Sequence, residues 1–124
     1  MLSRRFRLKS PVMFRRTLDA SRLCANKCFV AYALKTGDHA GSPKFGFIVS
    51  SKVHKRATRR NRLKRWFREI IRREILPTQP ALPYQSVVMI ARSGMLEASY
   101  DEVKQLMKQC FALKGGDAVS GDTR

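Results

Sequence analysis

Eleven of the chain's 26 Lys and Arg residues lie between Lys52 and Arg73, in the run KVHKRATRRNRLKRWFREIIRR, where Glu69 is the single acid. Guanidinium and ammonium groups at this density do one kind of chemistry well: they neutralise and hydrogen-bond phosphates. Gathering them is costly unless a polyanion offsets their mutual repulsion. On a helix, at about 100° per residue, Leu63, Trp66, Phe67, Ile70 and Ile71 share one arc. Asn61, Arg62, Arg65, Arg68, Arg72 and Arg73 take the opposite arc, with Lys64 at the border. One face can therefore enter a core while the other presents cations.

Three plainer readings compete with phosphate binding: a solvated helix face, a surface for anionic membrane or an acidic partner, and a targeting signal. The charge of the whole chain weighs against them. It is +17 over 124 residues, with a pI near 11.0, so the local excess is not balanced elsewhere. Nucleic acid becomes the favoured partner.

The residue types of a protein catalyst are scattered by contrast. His39 lies in a polar loop and His54 in the basic run, and neither has the neighbours of a nucleophile–base pair. Asp19, Asp38 and the carboxylates of the last helix have no spacing that suggests a two-metal site. Cys24 and Cys28 are four apart, but no second pair completes a zinc site. Three cysteines, an odd number, in a chain read as cytoplasmic suggest free thiols that act as small buried hydrophobes.

Positioning the basic run requires a fold, and 124 residues with 44% apolar content suffice for one domain with a core. No apolar run reaches membrane-span length. The opening MLSRRFRLKS is basic with no apolar segment behind it, so it is not read as a secretory signal. Residues 1–9 read as an extended lead-in. Ser10-Pro11 is a cap and first-turn pair that starts a helix running to Leu18 or Asp19. Arg22 to Leu34 reads as extended, and Thr36 to Pro43 as a turn-rich loop. Lys44 to Ser50 is a strand, Lys55 to Leu76 the basic helix, and Pro77, Pro80 and Pro83 a rigid linker. Gln85 to Ala91 is a buried strand, and Glu97 to Leu113 a helix with Ser99 and Glu102 at capping-box spacing. Helices covering a small mixed sheet, an α/β sandwich, is the expected architecture.

Arg60-Asn61-Arg62-Leu63-Lys64-Arg65, followed by Arg68 and Glu69, resembles the signature of the bacterial ribonuclease P protein subunit. That family is the small basic partner of a catalytic RNA that removes the 5′ leader of precursor tRNA. The likeness extends to Arg7-Leu8-Lys9 with Phe14, to Asn26 through Tyr32, to Phe45 through Lys52, and to Val87 through Arg92. It implies an α/β (α+β) fold, an α-β-β-β-α-β-α two-layer sandwich with a left-handed βαβ crossover that the general handedness rule does not favour. It also implies one strand beyond those read above, near Arg22 to Ala25. A single domain would span residues 1–113, and residues 114–124 would form a flexible tail.

The resemblance implies two RNA-facing surfaces. Catalytic RNA would be bound by Arg60, Asn61, Arg62, Lys64, Arg65, Arg68 and Arg72. A leader-binding cleft would be formed by Phe14, Leu18, Tyr32, Lys52 and Arg92. Two positions depart from the family pattern: Leu18 stands where an aromatic is usual, and Ser51-Lys52 where a Lys-Lys pair is usual. The expected partners are one ribonuclease P RNA and precursor tRNA, with no membrane and no protein partner. No catalytic or metal-binding protein side chain is expected, since Mg2+ would be held through the RNA subunit. Composition alone leaves two rivals open, a structural RNA-binding protein of the ribosomal kind and a DNA-compacting protein. A protein-only nuclease would need a carboxylate or histidine cluster that the sequence lacks.

Overall fold

Ser10 and Pro11 start the first helix as their residue types require. The Ser10 hydroxyl accepts from the Met13 N–H at 3.3 Å, and Pro11 occupies a position whose N–H needs no partner. The structure, a computed structural model, describes residues 6–35, 43–77 and 84–112. The sequence-read Thr36–Pro43 loop (Pro43 apart), the Pro80 and Pro83 part of the linker and the 114–124 tail lie outside them. The elements are α1 (Pro11–Leu18), β1 (Ser21–Ala25), β2 (Phe29–Lys35), β3 (Lys44–Ile48), α2 (Ala57–Ile70), β4 (Tyr84–Ala91) and α3 (Tyr100–Ala112). This is the order that the family resemblance implies.

One sheet in the order β1-β2-β4-β3 organises the molecule. β1 and β2 pair antiparallel, as do β2 and β4, while β3 and β4 pair parallel across the α2 crossover. The extended reading of Arg22 to Leu34 resolves into two strands because Asn26 makes a turn. Its Oδ1 accepts from the Cys28 and Phe29 N–H groups at 2.8 and 3.0 Å. The lead-in is partly structured as well: Arg7 bridges Phe45 in parallel, the Leu8 N–H donates to the Phe45 carbonyl at 2.8 Å, and Leu8 is buried. This segment covers the outer edge of β3, which would otherwise expose unpaired backbone.

The two faces of the sheet have different tasks. Phe29, Ala31, Ala33, Phe45, Val87, Met89 and Ala91 form the main core with Leu63, Phe67, Ile70 and Ile71 of α2 and Val103, Met107 and Phe111 of α3. The opposite face carries α1, which is tied down by a 2.5 Å hydrogen bond between the buried Thr17 and Ser86 hydroxyls. The basic helix ends differently from expectation. Ile71–Ile75 forms a π-helical turn, with the Leu76 N–H donating to the Ile71 carbonyl at 2.9 Å. The wider turn keeps Ile71 and Ile75 in the core and leaves Arg72 and Arg73 outside. Ahead of α3, Ser93–Glu97 is a separate 3-10 turn, so the last helix starts at Tyr100, three residues later than read. Ser99 does cap it, accepting from the Glu102 N–H at 3.1 Å.

The cysteine expectation needs correction. Cys24 and Cys110 are bonded as a disulfide, and only Cys28 is free. The cause is a bulge in β1: Arg22 pairs with Tyr32 but Cys24 pairs with Ala31, so two steps along β1 match one along β2. Cys24 thereby turns to the core face with Ala31, where α3 brings Cys110 to a Cα separation of 5.8 Å. Burial pushes the Cys28 thiol up, which keeps it protonated and inert. Because 86 positions separate the bonded pair, reduction should cost about 2–4 kcal/mol of stability. Chemical denaturation with and without reductant measures this. Cys24→Ser should show the same loss and no further response to reductant, whereas identical oxidised and reduced wild-type curves would contradict the pairing.

Candidate RNA interfaces

α2 holds its cations on one side because its other side is locked. Leu63, Phe67 and Ile70 are buried, and Phe67 packs edge-on against Phe29 and flat on Phe47. Asn61, Arg62, Arg65 and Arg72 are exposed, while Lys64 and Arg68 are half-buried. Several are pre-set by neighbours. The Arg62 guanidinium lies 5.7 Å from the centre of the Trp66 ring, and Trp66 meets Tyr100 edge-on at 5.6 Å. Burial lowers the pKa of Arg68, and the charge of Arg7 lowers it further, yet a guanidinium remains cationic. Glu69 reaches both Arg72 and Arg73 at 3.4 Å, exposed pairs of little strength.

Arg60 is placed differently from its companions. Its Nη1 donates to the His54 and Lys55 carbonyls, at 3.0 and 2.7 Å. It braces the turn that leads into α2, a helix whose Arg56 cap residue offers no side-chain hydrogen bond. The sequence reading assigned Arg60 only an outward role.

The second surface lies on the α1 side of the sheet. Across it, cross-strand register aligns Tyr32, Val88 and Gly46 in one row, and Val30, Ile90 and Ile48 in the next. A Cβ at Gly46 would overlap the Phe14 ring, which lies over it, so a larger residue there would displace the ring. Phe14, Leu18, Tyr32, Val30, Ile90 and Ile48 are all half-buried, so apolar surface stays open beside α1. Lys52 and Arg92, both exposed, follow the C-terminal ends of the parallel neighbours β3 and β4, which puts two cations beyond the same end of the sheet. Of the five residues expected in the cleft, the structure thus brings Phe14 and Tyr32 to one row of one sheet face, Leu18 to the same helix, and Lys52 and Arg92 to one end.

Arg92 is held rather than loose. Its N–H donates to the Cys28 carbonyl at 2.8 Å and its Nη1 to the Asn26 carbonyl at 3.1 Å. Gly94 follows in close contact with the same turn: a Cβ there would overlap the Lys27 carbonyl oxygen. Lys27 itself faces α3, where its Nζ donates to the Glu102 carboxylate at 2.5 Å, which raises the Lys27 pKa. Asn26 and Gly46 are thus supporting residues that the site reading missed. Their signals were present, an Asn between two extended runs and a Gly inside a strand. Among the described residues, no three His, Cys, Asp or Glu side chains gather closely enough to hold a metal, and no helix is long and apolar enough to cross a membrane.

The exposed cations of α2 thus lie outside the main core, and half-buried apolar residues lie beside α1 on the opposite face of the sheet. The family model described as Ribonuclease P matches residues 2–114. The chain belongs to the ribonuclease P protein family. It is 35% identical over 114 residues to the ribonuclease P protein component of Lactococcus lactis subsp. lactis, covering 90% of each chain. Its identity to the component of Symbiobacterium thermophilum is 33% over 115 residues, covering 92% of this chain and 95% of the relative. The ribonuclease P protein of Thermotoga maritima has a similar structure, with a TM-score of 0.69 at 29% identity, over 88% of this chain and 98% of that one. The Staphylococcus aureus ribonuclease P protein shares the fold with a TM-score of 0.72 at 21% identity, over 86% and 93% of the two chains. As a ribonuclease P protein component, the chain functions in tRNA processing.

Proposed function

We propose that this ribonuclease P protein is the RNA-binding cofactor of a ribozyme in the cytoplasm. In this reading α2 binds one catalytic RNA through Asn61, Arg62, Lys64, Arg65, Arg68 and Arg72, with Arg60 bracing its start. The cleft of Phe14, Leu18, Tyr32, Lys52 and Arg92 holds the 5′ leader of precursor tRNA during its endonucleolytic removal. Divalent ions held on the RNA act at the scissile phosphate, and the protein positions and neutralises.

What supports the reading is the pairing of two unlike surfaces on opposite sides of one sheet. Structured RNA is recognised through backbone and shape, which suits a row of cations on a locked helix. Single strands are held by stacking on aromatic rings beside a basic track, which suits Tyr32 and Phe14 with Lys52 and Arg92 beyond one end of the sheet. A structural RNA-binding protein or a DNA-compacting protein has no need of the second surface. Leu18 offers apolar contact without a ring, so Tyr32 and Phe14 carry the stacking.

Tyr32→Ala should weaken binding of precursor tRNA by the RNA–protein complex by about 1–3 kcal/mol and leave mature tRNA unaffected. Equilibrium binding of the two substrates measures the difference. Equal losses for both would remove the cleft from leader binding.

A further inference from the structure

A strand held on this face has to leave it over an edge of the sheet. Residues 7 and 8 are hydrogen-bonded along β3 through Phe45 and so occupy one edge, while β1 is the terminal strand at the other. The bulge in β1 decides what stands there. Cys24 and the half-buried Leu23 turn to the core, while Arg22 keeps its register with Tyr32 and shares the cleft face. Directly opposed residues on one sheet face have Cβ atoms about 4.5–5.5 Å apart. Arg22 is thus an exposed guanidinium beside the half-buried ring of Tyr32, at the open rim of the cleft.

Its surroundings of sequence are strongly basic. Among residues 1–35 the single carboxylate is the exposed Asp19, against nine Lys and Arg. The described ion pairs engage Lys27, Arg72, Arg73, Lys104 and Lys108, and Arg22 is in none of them.

We propose that Arg22 is a further leader-positioning residue, binding a phosphate of the single strand where it passes Tyr32 and crosses the β1 edge. The proposal rests on the leader-cleft reading and deepens it. The track then runs from Lys52 and Arg92, over Ile48, Ile90 and Val30, to Tyr32 and Arg22. A base on the Tyr32 ring carries its phosphate beside it, within reach of a long side chain on the neighbouring strand. Arg22 therefore acts only on leaders long enough to reach the rim.

The test is a leader-length series, with the protein reconstituted on a bacterial ribonuclease P RNA and the disulfide kept oxidised throughout. Precursors with leaders of increasing length, and mature tRNA, are titrated against wild type, Arg22→Gln and Arg22→Lys. Arg22→Gln is expected to lower affinity about 5-fold for long leaders and not at all for the shortest leader or mature tRNA. Its log–log salt slope on long leaders should be shallower by about 0.7, one single-strand phosphate. Arg22→Lys should restore both. A structural role would instead lower the melting temperature and weaken all RNAs alike, and that outcome overturns the proposal. If wild type depends on leader length and Arg22→Gln matches it at every length, the Arg22 assignment alone falls. If wild-type affinity ignores the leader, the cleft reading falls and takes this assignment with it.

Discussion

Phe67→Ala should lower the stability of the protein by roughly 3–5 kcal/mol, the range for removing a fully buried aromatic side chain. Phe67 has no exposed surface. Its ring meets Phe29 at 5.9 Å and Phe47 at 5.3 Å, so it joins α2 to both a central and an outer strand. Truncation leaves a cavity between helix and sheet that neither partner can fill without moving. The consequence reaches function, because the cations of α2 are arrayed by the packing of its other face. Urea or thermal unfolding provides the number. A change near zero would mean that α2 is not anchored through Phe67, and that the phosphate-binding face has no rigid base.

Affinity for the catalytic RNA should fall several-hundred-fold between 50 and 200 mM monovalent salt, the largest effect expected. The estimate follows from five or six neutralised phosphates, each adding about −0.7 to −0.9 to the slope of log affinity against log salt. The cations are Arg62, Lys64, Arg65, Arg68 and Arg72, with Arg60 a sixth only through the donors that the His54 and Lys55 carbonyls leave free. A slope of about −4 to −5 is expected from this count. The ion pairs of Glu69 do not reduce it much, since exposed pairs at 3.4 Å are readily exchanged for phosphate. A slope near zero would mean that α2 binds by contacts other than charge.

Local rules carried the sequence reading far. Ser10-Pro11 and Ser99 announced helix starts that the hydrogen bonds bear out. The single 3.6-residue pattern of Leu63, Phe67, Ile70 and Ile71 separated the buried side of α2 from its cations. The features that stayed hidden depend on pairing between distant residues. Register is invisible to periodicity, so the β1 bulge could not be read, and with it went the true partner of Cys24, 86 positions away. The cleft residues came from family resemblance, since nothing in the spacing of Phe14, Tyr32, Lys52 and Arg92 brings them together. The parallel pairing of β3 and β4 is what sets Lys52 and Arg92 at one end. Arg60 looked like its neighbours in the basic run, and only the carbonyls of the preceding turn distinguish its role.

The most direct test of the central claim is a cleavage assay at low magnesium. Labelled precursor tRNA is incubated with a bacterial ribonuclease P RNA alone, with this protein alone, and with both. Leader removal should be stimulated by the protein only when the RNA is present. Cleavage by the protein alone, or no stimulation of the RNA, would contradict it.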